Sequence, residues 1–172
     1  MSTRNRSNSS VPPTDFISER DIIPVLSLNN AFEPEVGALT ETRLRHLLNE
    51  AFYARRIGVY DAMLIAFDET ADYDSPNFLW FKARYPRFAY VDRIAVAEHA
   101  RRQGLAAHLY RDLFAQARSA GHDVALCEVN IDPPNPISDA FHASFGFTEV
   151  GRGAANGKLV RYLSKTLGNS PQ

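Results

Sequence analysis

One stretch limits the fold more than any other. Residues 88–96 (FAYVDRIAV) are rich in aromatic and β-branched side chains and alternate as a strand does, with Tyr90, Asp92, Ile94 and Val96 on one face. A charged, glycine-containing turn follows, and then Leu105, Leu109, Leu113, Phe114 and Ala117 recur at three- and four-residue steps, the stripe of an amphipathic helix. Gly121 ends that helix at the position where a left-handed residue is favoured. A further strand over 124–130 completes a strand, helix and strand unit.

The other segments extend the pattern. Residues 22–28 (IIPVLSL) read as a first strand, placed at a sheet edge by Pro24. Thr40 caps a helix carrying Leu44, Leu47, Leu48, Ala51 and Phe52, and 59–67 reads as a second strand. The acidic segment DETADYDS is expected to be a surface loop, and Pro76 opens a short helix over 78–84. A proline-rich turn leads to a helix over 138–144, and 147–150 and 158–165 read as two closing strands. The alternation predicts one α/β or α+β domain with a mixed sheet over 15–167, between a disordered tail at 1–14 and a flexible end at 168–172.

Composition excludes several function classes. Nineteen Lys and Arg against twenty Asp and Glu leave a net charge of −1, too little basic surface for a nucleic-acid or anionic-membrane binder. Cys127 has no partner for a disulfide, no Cys/His spacing suits a metal, and no segment is apolar enough for a membrane span or signal peptide core. A soluble, cytoplasmic protein is the expectation.

The turn after the strong strand carries the chemistry. In Glu98-His99-Ala100-Arg101-Arg102-Gln103-Gly104-Leu105-Ala106, a glycine permits close backbone approach, a helix start offers free N–H donors and two arginines add charge. Those are the parts of a pyrophosphate cradle. A P-loop lysine and a three-glycine dinucleotide turn are both missing.

Arg101-x-x-Gly104-x-Ala106 directly after a strand resembles the acetyl-CoA signature of the GCN5-related N-acetyltransferase superfamily. The segment from Asn135 to His142, followed by Gly146-Phe147, resembles that superfamily's second motif, and the likeness covers about 88–150. The whole is similar to a bacterial branch of the superfamily. The resemblance implies a twisted mixed sheet, flanked by helices, whose fourth and fifth strands splay around acetyl-CoA, with no metal. It further implies that Ile94, Ala95 and Val96 face the pantetheine arm and that Arg101, Arg102, Gln103, Gly104, Leu105 and Ala106 surround the pyrophosphate. Asn130, Asn135, Ser138, Phe141 and His142 complete the expected cofactor surface.

What is implied is direct acetyl transfer to a primary amine of a small molecule or peptide, in a protein for which a homodimer is allowed. The alternative is a non-catalytic acyl-CoA-binding module. Asp92 leads as the group assisting amine deprotonation, and Glu128 on the neighbouring strand is second; against this, Asp92 can pair with an arginine and Glu128 can orient a neighbour. His142 stands where the superfamily commonly has a tyrosine acid, and it can either protonate the leaving thiolate or pack, with Tyr90 and Tyr162 as substitutes. Ser138, Asp139 and His142 lack the geometry of a hydrolase triad. The stripe Phe78, Trp80, Phe81 and Tyr85 serves either the core or an acceptor wall, and Glu33, Glu35, Asp68, Glu69, Asp72 and Asp74 favour a cationic acceptor.

Overall fold

A computed structural model describes residues 12–168; of the expected tails at 1–14 and 168–172, residues 1–11 and 169–172 lie outside it. Thr14, assigned to the tail from sequence, instead opens strand β1 (Thr14–Phe16), and its hydroxyl donates to Asp112 at 3.0 Å. β1 pairs antiparallel with β2 (Tyr53–Ile57), which turns at Gly58 into β3 (Ala62–Asp68). The strand expected over 59–67 is therefore the second arm of a hairpin, and Val59 lies in its turn.

The expectation for 22–28 is overturned. Those residues lie in helix α1 (Ile22–Asn30), with Ile22, Val25 and Leu28 buried at three-residue steps and Ile23 facing out. Pro24 is compatible because it sits in the first turn, where its missing N–H leaves no intrahelical bond unmade. Ser18 and Asp21 organise the entry: the Asp21 carboxylate accepts from the backbone and hydroxyl of Ser18 and from Arg56.

After α2 (Glu33–Val36), helix α3 (Glu41–Glu50) begins as predicted, with the Thr40 hydroxyl accepting from the amide of Arg43 at 3.1 Å. The acidic loop after β3 is less solvated than its composition suggests, since Ala71 and Tyr73 are buried within it. Pro76 starts α4 (Pro76–Lys82), and β4 spans Phe88–Val96 as the alternation required. Helix α5 (Leu105–Ser119) follows the charged turn, then β5 (Val124–Asp132), α6 (Pro136–Ser144), β6 (Thr148–Ala155) and β7 (Lys158–Thr166).

These strands form one seven-stranded sheet in the order β1-β2-β3-β4-β5-β7-β6. Every neighbouring pair is antiparallel except β4 and β5. That parallel pair is joined by α5, the crossover such a connection requires. The pairing is short: Phe88, Ala89 and Tyr90 meet Val124, Ala125 and Leu126, and beyond them the strands part. β4 stays paired with β3 through Val96, and β5 stays paired with β7 through Asp132, so neither strand ends where the gap opens. A cleft forms between them. The core beneath is continuous across the domain, from Leu44 and Leu47 through Phe67, Phe78 and Phe81 to Tyr110 and Leu113.

Candidate active site

The opening between β4 and β5 widens into a cleft of 690 Å³. Val91, Asp92, Arg93 and Ile94 line one wall, and Cys127, Glu128, Val129 and Asn130 line the other. α2 and the β6–β7 turn frame the mouth, where the Lys158 ammonium reaches the Pro34 carbonyl at 2.5 Å. Gly37 and Leu39 beside α2 are held by Asn29 and Asn30, and Arg93 donates to the Asn29 side chain at 2.9 Å, tying that rim to β4.

Glu128 occupies the floor. Tyr90 and Asn77 each donate to its Oε1 at 3.0 Å, while Oε2 is buried with no partner among the described residues. Burial disfavours the anion, and the nearby Asp92 charge adds to the effect, so the carboxyl is raised to about 8. Asp92 differs. One of its oxygens takes a 2.7 Å bond from the Tyr73 hydroxyl and the other pairs with the Arg93 guanidinium at 2.7 Å. Asp92→Asn is expected to destabilise the fold by about 3–5 kcal/mol in a denaturant melt, since it strands a buried guanidinium.

Beyond the end of β4 the chain has the shape and charge that suit an anion. Arg102 and Gly104 both have left-handed backbone conformations, with φ of 61° and 75°, so the turn curls before α5. The amides of residues 102–107 find no acceptor among the described residues, and the first turn of α5 adds its dipole. Arg101 and Arg102 are exposed there, with the Arg101 guanidinium 5.2 Å from the Phe32 ring centre.

Residues 72–147 match the model of the acetyltransferase (GNAT) family. The matched segment takes in β4, the turn, α5, β5 and α6, and so both walls of the cleft. No curated protein matches its sequence closely enough to count as a relative. Solved structures share the fold at low identity. The ribosomal-protein-S18-alanine N-acetyltransferase of Escherichia coli is 15% identical with a TM-score of 0.67, over 93% of this chain and 96% of that one. A putative acetyltransferase from Salmonella typhimurium, solved with its cofactor acetyl-CoA, is 16% identical at 0.68, over 95% and 98%. An Arabidopsis thaliana protein in complex with the bisubstrate analogue CoA-Ac-MVNAL is 11% identical at 0.68, over 90% and 97%.

Within this fold the predicted residues divide. Ile94, Asn130, Asn135, Ser138 and His142 line the cleft together with Asp92 and Glu128. Arg101, Arg102, Gln103 and Gly104 form the exposed turn, and Leu105 and Ala106 begin α5. Ile94, Ala95 and Val96 pair with Leu64, Met63 and Ala62 of β3 along one edge, and the edge toward β5 is unpaired beyond Tyr90; Phe141 packs edge-on against Tyr110. Cys127 is buried, which pushes its thiol up and fits a packed rather than reactive side chain.

His142 is committed on both ring nitrogens. Its Nδ1 lies 2.8 Å from the Ser138 carbonyl, which can only accept, so Nδ1 carries the proton and Nε2 accepts from the Tyr110 hydroxyl at 2.8 Å. Burial pushes its pKa down, keeping the ring neutral. The geometry is that of a buried latch between α5 and α6, with no N–H left over for a leaving thiolate. His142→Phe is expected to cost about 1–3 kcal/mol by leaving the Tyr110 hydroxyl unpaired. The double variant with Tyr110→Phe should recover most of that loss, and equal losses in single and double variants would remove the latch.

Sequence reasoning passed over Tyr110, Asn77 and Tyr73. Tyr110 carried a signal, lying three and four residues before Leu113 and Phe114 on the buried stripe. Asn77 and Tyr73 carried none, because their partners Glu128 and Asp92 lie far away in the chain.

Proposed function

We propose that this protein is a GNAT acetyltransferase and catalyses direct acetyl transfer from acetyl-CoA to a primary amine of a small molecule or peptide. One observation carries the reading: parallel strands that part after Tyr90 and Leu126, with the unpartnered oxygen of Glu128 on the floor between them. The residues present fit the co-substrate. The open side of β4 beyond Tyr90 offers backbone groups to an amide-bearing arm, and the amides of residues 102–107 with Arg101 and Arg102 suit a pyrophosphate. When bound, acetyl-CoA supplies an acyl group already activated as a thioester.

The chain's own work is to deliver the amine neutral and to hold it. Glu128 accepts the ammonium proton on Oε2, and a carboxyl raised to about 8 is a far stronger base than an ordinary one. Asp92, bonded by Tyr73 and paired with Arg93, shapes the wall, and its charge adds to the burial that keeps Glu128 high. Glu33 and Glu35 on the exposed rim favour a cationic acceptor. Two of the similar structures point to peptide acceptors as worth screening, one named for an alanine of a ribosomal protein and one holding a peptide-bearing analogue.

Incubation with acetyl-CoA and a panel of polyamines, amino-sugar amines and short peptides, read as free-thiol release, tests the proposal. Amine-dependent release is expected. Tight acetyl-CoA binding with no release by any amine would favour the non-catalytic acyl-CoA module instead.

A further inference from the structure

Glu128 is gripped by one oxygen only, and the group that grips it is itself oriented from behind. A primary amide has a donor end and an acceptor end, so something must decide which end of Asn77 faces the carboxylate. The Tyr162 hydroxyl donates to Asn77 Oδ1 at 3.1 Å, which leaves Nδ2 pointing at Glu128 Oε1. Tyr162 is held in turn by the indole of Trp80, stacked with centroids 4.2 Å apart and planes 23° apart, and by the edge-on ring of Phe81.

β6 is cut to fit this pair. A Cβ at Gly153 would stand 2.8 Å from Cζ of Tyr162, and one at Gly151 would stand 2.7 Å from Cζ2 of Trp80. Neither glycine has a positive φ, so space and not backbone freedom is what β6 supplies here. Four elements thus converge on one carboxylate oxygen: α4 through Asn77, β4 through Tyr90, β7 through Tyr162, and β6 through its two missing side chains.

We infer that Asn77 is a positioning residue for Glu128 and that Tyr162 acts on the carboxylate only through Asn77. The inference rests on the proposed role of Glu128 as base. Both donors to Oε1 favour the ionised carboxylate, and because both use Oε1, the proton from the acceptor nitrogen goes to Oε2. Of the other groups around Glu128, Tyr90, Tyr73, Tyr110, Tyr162 and Cys127 are all pushed upward by burial and stay neutral, and Asp92 is ion-paired with Arg93.

The test is the acid limb of the kcat/KM profile, with the carboxyl carbon resonance of Glu128 titrated alongside it, in Asn77→Ala, Tyr162→Phe, their double variant and Gly153→Ala. Loss of the Asn77 donor is expected to move both readouts upward by about one pH unit. Tyr162→Phe keeps the ring stacked on Trp80 and should move them in the same direction by less. The double variant should match Asn77→Ala alone, because Tyr162 has nothing left to act through. Gly153→Ala should reproduce the Tyr162→Phe shift without deleting any polar group.

Unmoved limbs and an unmoved resonance in folded Asn77→Ala, whatever its turnover, would overturn the inference, as would additive shifts in the double variant. A resonance that moves while the rate profile stays fixed would confirm the positioning and sink the base role. The two readings therefore fail separately.

Discussion

Glu128→Gln lowers kcat/KM by about 10²- to 10⁴-fold and abolishes the rise in rate through pH about 8, the contribution expected of a positioned base. The glutamine keeps the size of the side chain and an acceptor for Tyr90 and Asn77, and loses only the ability to take a proton. A second readout is independent of turnover. The folded carboxyl is raised from 4.5 to about 8, so between those values the folded chain binds a proton that the unfolded chain does not. Wild-type stability must fall as pH rises through that window and level off above it. Glu128→Gln carries no such dependence, so its stability relative to wild type should increase from pH 5 to pH 9 in parallel melts. A variant that keeps full rate and the same acid limb would return the base role to another group or to solvent. A relative stability that stays flat with pH would show that Glu128 is not raised.

The parts of this fold that could be read from sequence are those whose pattern is local. β4, the turn and α5 follow one another with a period of two, a glycine break and a period of three to four, and nothing distant is needed to recognise them. IIPVLSL was ambiguous because a short apolar run with Pro in third place fits an edge strand or a first helical turn equally well. What decides it is the turn before, where Asp21 gathers Ser18 and Arg56. β1 and β2 were invisible for another reason: Thr14–Phe16 has no apolar run, and β2 is interrupted by Arg55 and Arg56. The Arg55 guanidinium lies over the Phe16 ring, a contact that exists only after the strands pair.

The site divides along the same line. That Asp92 and Glu128 would each stand on a strand followed from their segments, and that those strands would be neighbours followed from the resemblance. Which of them would be free did not, because the answer lies in Tyr73, Asn77 and Arg93, and two of those arrive from elsewhere in the chain. The histidine at 142 posed the same difficulty. Its departure from the superfamily pattern drew attention to acid chemistry, whereas its meaning depends on Tyr110, one helix away.

Gly104→Glu is expected to weaken acetyl-CoA binding by about 100-fold or more in a calorimetric titration, the order of several kcal/mol for like charges brought together. The position is open: a Cβ there meets nothing within 4 Å among the described residues, so the variant should fold. Two effects combine, and a companion variant separates them. At φ 75° any side chain meets the backbone penalty of the left-handed region, about 1–2 kcal/mol, which Gly104→Ala carries alone. The carboxylate of Gly104→Glu adds charge where the amides of residues 102–107 and the dipole of α5 are arranged for an anion. Alanine should therefore cost binding modestly, and glutamate far more, with the difference shrinking as salt is raised. Equal losses in the two variants would mean that backbone shape and not charge governs the turn, and undiminished affinity in a folded Gly104→Glu would place the pyrophosphate elsewhere.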